Sequence, residues 1–226
     1  MRPRGLVVAV DGPSGAGKST AARALARRLG YVFIDTGAMY RALTLKALRQ
    51  GIDSGDEARL AELLSGTRIE LLDAGKRVLL DGVDVTSEIR TPEVSTATSL
   101  VSAHATVRRA MVIRQQDLGR NGGVVMDGRD IGSTVFPDAE VKFFVDAEAA
   151  ARAGRRYREL ISAGVDADPA VIERETRERD YTDSTRTDSP LARAADAVHL
   201  DTTLLSPEDV VERMLETVEA RSPVRR

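Results

Sequence analysis

The chain has 226 residues, 42% hydrophobic and 30% charged, which are the proportions of a globular protein rather than a disordered one. Thirty-five acidic residues against 33 Lys and Arg leave a formal charge of −2, so no general attraction to nucleic acid is expected. There is no cysteine, which excludes disulfides, thiol catalysis and zinc fingers, and no apolar run approaches the roughly 18–20 residues of a membrane span.

The first predicted element is a strand at Leu6–Val10. It is too short for a signal peptide and runs straight into a glycine loop, so a cytoplasmic protein is expected. That loop, Gly12-Pro13-Ser14-Gly15-Ala16-Gly17-Lys18-Ser19, matches G-x-x-x-x-G-K-[ST] at every fixed position. A predicted helix follows at Lys18–Leu29. A glycine-rich turn with a surface lysine is the ordinary alternative, but strand before and helix after are the context in which backbone N–H groups and a helix N-terminus hold a β-phosphate. Lys18 would bridge the β- and γ-phosphates and Ser19 would ligate Mg²⁺.

A second strand, Tyr31–Ile34, leads into "DTGAMYR". Here Thr36 can cap the next helix, and Arg41 within it can fork onto a phosphate. The segment Arg68–Arg90 alternates with period two about Ala74-Gly75 and reads as a small antiparallel sheet inserted in the α/β body. A third core strand, Gly123–Met126, ends in Asp127-Gly128-Arg129-Asp130. One acid at that strand end suits magnesium, while the arginine two residues on points to a second anion.

The guanine-reading pattern N-K-x-D is absent, because the one asparagine, Asn121, precedes glycine. The adjacent Asp-Glu pair of ATP-driven motors is absent from this strand end as well. Transfer to a phosphorylated acceptor is therefore favoured over hydrolysis or switching. In a parallel sheet, ligands bind beyond the carboxyl ends of the strands, so Arg41 and Arg129 are expected to face the same crevice as Lys18.

Strands are also predicted at Val141–Val145 and Ala197–Leu200. Between them lies an arginine-rich run with Arg152, Arg155, Arg156 and Arg158, then a turn at "SAGVDAD" and a second helix. In "RERDYTDSTR", Arg179, Asp183 and Arg186 stand at steps of four and three, on one helix face; a salt-bridged surface helix is the bland reading of the same string. Ser206 and Pro207 open a last helix to Glu219. His104 and His199 have no acid–base partner in the sequence and are read as structural, and the scattered methionines as core filling.

Together, "DGPSGAGKST", "DTGAMYR", "SEIRTPEVS", "VRRAMVIRQQ", "DGRDIGSTVFPDA" and "RERDYTDSTR" resemble the bacterial cytidylate kinases of the nucleoside monophosphate kinase family, in family order over nearly the whole length. The resemblance implies the P-loop nucleoside monophosphate kinase fold. In it a five-stranded parallel sheet is flanked by helices, with a small antiparallel β insert and a helical lid. One kinase domain over residues 1–226 is expected, with acceptor-binding residues at about 36–105, the β insert at about 67–90 and the lid at about 150–170.

It further implies transfer of the γ-phosphoryl group of ATP to CMP, and to dCMP, with Mg²⁺, by a monomer that binds neither nucleic acid nor membrane. Gly12, Pro13, Ser14, Gly15, Ala16, Gly17, Lys18, Ser19 and Thr20 would hold ATP. Thr36, Arg41, Arg129 and Arg186 look like the clamp on the acceptor phosphate, and Ser99, Arg108 and Asp130 like the base readers. Ser99 lies in a run with several serines, and Arg109 adjoins Arg108. Arg179 and Asp183 look like ribose contacts. Lys18, Arg129, Arg186, Asp127, Arg155 and Arg156 are the catalytic candidates, the last two from the lid.

Overall fold

The computed structural model describes residues 2–73, 75–162 and 164–221. Ala74 of the expected hairpin turn, Ala163 after the arginine-rich helix, Met1 and residues 222–226 lie outside them.

Five parallel strands form the core sheet. They are β1 (Val7–Asp11), β2 (Val32–Asp35), β6 (Val124–Asp127), β7 (Val141–Asp146) and β8 (Val198–Asp201), in the spatial order β2-β6-β1-β7-β8. Alternate residues of β1 explain why both faces are covered. Val8 and Val10 pack with Leu25 of α1 (Lys18–Leu29) and Met214 of α8 (Pro207–Arg221). Val7 and Ala9 pack on the other face with Ile131, Val135 and Phe136.

Helices α2 (Thr36–Arg49), α3 (Glu57–Ser65) and α5 (Ala105–Gly119) share a second core through Leu43, Leu60, Leu64 and Met111. Between α3 and α4 (Pro92–Val101) the chain makes the antiparallel sheet β3 (Ile69–Leu72), β4 (Arg77–Leu80), β5 (Val83–Asp84), with Ile69 opposite Leu80. Val78, Leu80 and Val85 bury one face of it on Ala38, Ala42 and Leu45 of α2. The chain then forms α6 (Ala149–Ser162) and α7 (Pro169–Thr185).

The fold class is the expected one, with a consistent offset at the strands. Four of the five core strands begin one residue later than the sequence suggested, and all five end one residue later, each on an aspartate. Gly123 cannot begin β6, because its φ of +67° is left-handed. At the other end, the apolar pattern stops at Val10, Ile34 and Met126, yet the ladder continues into buried Asp11, Asp35 and Asp127. Hydropathy alone excludes such residues from a strand, and a ligand crevice is the place that tolerates them.

Candidate functional site

The glycine loop closes β1 onto α1. Gly12 has φ +141°, and a β-carbon there would stand 1.9 Å from the Val145 carbonyl oxygen, so only glycine fits. Gly15 and Gly17 are left-handed as well, and Gly17 caps α1 with no side chain covering the first turn. The loop is held from outside by its carbonyls: Ser14 accepts from Arg152 at 3.1 Å, and Ala16 from the Thr202 hydroxyl at 2.9 Å. Among the described residues, the N–H groups of Gly15, Ala16, Gly17, Lys18 and Ser19 donate to nothing. Five backbone donors left open at a helix N-terminus form an anion nest.

Lys18 is buried and donates to the Pro13 carbonyl at 2.6 Å. Burial, then the Arg129 charge, hold its ammonium well below the usual lysine range, against the pull of Asp127, Asp183 and Asp11. Ser19 bonds the Asp127 carboxylate, and Thr20 is exposed one residue further on.

Three strand-end carboxylates form the floor. Asp11 accepts from the N–H groups of Ile131 and Gly132 at 2.8 and 2.7 Å, which pins the π-helical turn Ile131–Val135 to the end of β1. Burial pushes its carboxyl up to about 7, against those two bonds and with help from Asp130 and Asp127. Burial, and then Asp35, raise Asp127, whereas Lys18 lowers it. Asp35 caps α2 by accepting from Ala38 N–H at 2.9 Å and pairs with Arg41 at 3.1 Å. The expected cap, Thr36, is instead the first helical residue, because Asp35 already occupies the cap position with its carboxylate on Ala38 N–H. The Thr36 hydroxyl donates to the Asp127 carbonyl at 2.7 Å. Sequence reasoning missed Asp11 and Asp35, although their place beside two glycine motifs was the available signal.

Arginines from three elements meet above this floor. Arg129 Nε donates to Asp183 Oδ2 at 2.8 Å, and Arg186 lies 3.6 Å from the other Asp183 oxygen. Burial alone would raise the Asp183 carboxyl, but Arg129, then Arg179 and Arg186, hold it below the usual carboxylate range. Arg186 is not on the helix face expected for it. Helix α7 ends at Thr185, and Arg186 is extended (φ −61°, ψ 143°), tied by its Nε to the Ser189 carbonyl at 2.7 Å.

Arg179 makes no hydrogen bond among the described residues. Burial lowers its pKa to about 10, and the charges of Arg129, Arg41 and Arg156 add to the fall. Buried guanidinium nitrogens without partners remain on Arg41 (Nε) and Arg186 (NH2). Such donors cost free energy when unmet, and in a cluster of like charges they define a place for an anion.

Next to it, Arg108 of α5 and Asp130 form an ion pair, nearly sealed from solvent. Arg108 also donates to the Ser102 carbonyl at 3.0 Å, stands 5.9 Å from the Tyr40 ring, and keeps its Nε unpartnered. Burial and Asp130 push the Tyr40 hydroxyl up to about 12, against the Arg108 charge. Ser99 is half-buried on α4, and its carbonyl accepts from the Ser102 hydroxyl at 3.3 Å. The Ser102 carbonyl, three residues on, is the acceptor that Arg108 meets here.

The arginine-rich helix α6 divides its charges. Arg152 faces inward, while Arg155 donates to the carbonyl and hydroxyl of Thr202 at 2.5 and 3.1 Å, close to Gly17. Arg156 pairs with Glu159 at 3.3 Å on the surface. The His104 Nε2–H donates to the Ser54 carbonyl at 2.7 Å, and His199 packs near Phe144.

A glycine loop with open N–H donors, facing a basic cluster across the carboxyl edge of a parallel sheet, defines a P-loop kinase. The solved structure of a gluconokinase from Sinorhizobium meliloti shares the fold, with a TM-score of 0.50 and 16% identity over 98% of this chain and 95% of that one. The profile of the family described as Cytidylate kinase matches residues 8–220. Cytidylate kinase from Bacillus subtilis (strain 168) is 50% identical over 96% of this chain and 98% of its own. Cytidylate kinase from Solibacter usitatus is 52% identical over 96% and 93%. The chain belongs to the cytidylate kinase family.

Proposed function

We propose that this chain transfers the γ-phosphoryl group of ATP to CMP, and to dCMP, giving ADP and the diphosphate. Family membership over residues 8–220 supports the reaction. The observation that carries the site assignment is the shared Asp183 carboxylate, which brings Arg129 and Arg186 together beside unpartnered nitrogens of Arg41 and Arg186.

The acceptor phosphate occupies this cluster, with Arg41, Arg129 and Arg186 as its donors. The triphosphate lies on the N–H groups of the glycine loop, with Lys18 released from Pro13 to reach its β- and γ-oxygens. The acceptor is already an oxyanion, so no general base is needed; alignment and neutralisation of two anions are what the site supplies. Ser19 and Asp127 offer two hard oxygens side by side at the strand end, a donor set that suits Mg²⁺. Bound there, Mg²⁺ would neutralise charge on the phosphoryl oxygens.

Asp130 accepts from the amino group of cytosine and Arg108 donates to its ring acceptors, a pattern uracil reverses. Arg179 and Asp183 face the ribose, Ser99 the base edge, and Arg155 with Arg156 close over ATP from the lid. One kinase domain acting as a monomer accommodates both substrates. Among the described residues, no helix is long and apolar enough to cross a membrane. The test is product analysis with Mg-ATP and CMP: CDP and ADP in equal amounts support the reading, and phosphate release indifferent to CMP overturns it.

A further inference from the structure

Arg152 stands apart from the other arginines near the site, because four of its five guanidinium N–H groups donate to protein. Nε donates to the Ala147 carbonyl at 2.8 Å. NH1 donates to Ser14 of the glycine loop at 3.1 Å and to Asp180 Oδ1 at 2.9 Å, and NH2 to Asp180 Oδ2 at 2.6 Å. The side chain is 6% exposed, so it has no face left for a ligand. Its β-carbon also backs the loop, since a β-carbon on Gly15 would sit 3.2 Å from it.

Asp180 adjoins Arg179 on α7 and lies one turn before Asp183, the residue that gathers Arg129 and Arg186. One buried guanidinium therefore joins the donor loop to the helix that carries the acceptor cluster. We infer that Arg152 and Asp180 are positioning residues, a strut that sets the distance and angle between the two substrates, rather than a lid arginine and a surface acid. Bidentate Arg–carboxylate geometry is rigid enough for this, where a lysine's point charge is not. The inference rests on the phosphoryl transfer proposed above.

A strut acts on alignment, which is felt in turnover and not in the binding of either substrate alone; misplacement by about 1 Å can cost about 10²-fold. The test uses Asp180→Asn, which keeps shape, and Arg152→Lys, singly and together. Calorimetry gives Kd for ATP analogue and for CMP separately, and steady-state kinetics give kcat. The expected result is a fall in kcat of about 10- to 100-fold in each variant, with each Kd within about threefold and the double variant no worse than the poorer single one, as for residues acting as one unit. A rise in Kd for the ATP analogue with kcat unchanged would make Arg152 a donor ligand and overturn the inference. So would a lower melting temperature with unaltered kinetics in Asp180→Asn. Wild-type protein inert towards CMP would instead overturn the acceptor assignment, and the strut is then read with the monophosphate that does react.

Discussion

At the scale of single residues, the site is a set of buried charges that are paired yet keep donors to spare. Arg129 spends one N–H on Asp183 and one on its neighbour's carbonyl and keeps three in hand. Arg129→Ala is expected to lower kcat by about 10³-fold while the Kd for ATP measured by calorimetry stays close to wild type. Normal turnover would remove it from the site. Asp130→Asn keeps the volume but takes the acceptor away from cytosine and weakens the hold on Arg108. The ratio of kcat/KM for CMP over UMP should fall by at least about tenfold, and an unchanged ratio would put base recognition elsewhere.

Lys18 carries a pH signature. Burial and Arg129 lower its pKa in the free protein, so a bound polyphosphate raises it and nucleotide binding takes up protons near about pH 7.5. Calorimetry of ADP binding in buffers of different ionisation enthalpy should show that uptake, reduced in Lys18→Arg. Buffer-independent enthalpy would contradict it. The charged residues that gather at the sheet's carboxyl edge were largely legible as residue types at fixed spacing. What the sequence hid was partnership, namely that Asp183 is shared by two arginines and that Arg152 is engaged inside the protein.

Among the elements, β1, β6 and β7 were readable because they are buried almost throughout and are mostly apolar. The last residues of β1, β2 and β6 were not, since Asp11, Asp35 and Asp127 are buried carboxylates that a hydropathy pattern leaves out of a strand. The end of α7 failed for a related reason: residue spacing places Arg186 on the helix face, but the chain turns out at Thr185 to reach Ser189. The insert's alternation is clearest in β4, where Val78 and Leu80 are buried and Arg77 is exposed. The glycine loop depends most on backbone shape. In Gly12→Ala the new methyl would meet the Val145 carbonyl, so a loss of at least about 2–3 kcal/mol is expected, with ATP binding lost in the fraction that folds. A melting temperature matching wild type would show that the loop is not held as described.

Over the whole molecule, the order β2-β6-β1-β7-β8 brings donor and acceptor residues to one edge of the sheet. The sheet's carboxyl edge carries the glycine loop, the Arg129 loop and α2, while α6 and α7 close it from the side. That topology explains how residues 168 positions apart, Lys18 and Arg186, serve one crevice. The central claim is that a phosphate clamp and a cytosine reader converge on a single acceptor. Steady-state kinetics with Mg-ATP and cytidine, CMP, dCMP, UMP and AMP as acceptors test it most directly. The account expects CMP and dCMP to exceed UMP and AMP in kcat/KM by about tenfold or more, with cytidine, which lacks the phosphate, inert. Equal use of cytidine and CMP, or of CMP and AMP, would contradict it.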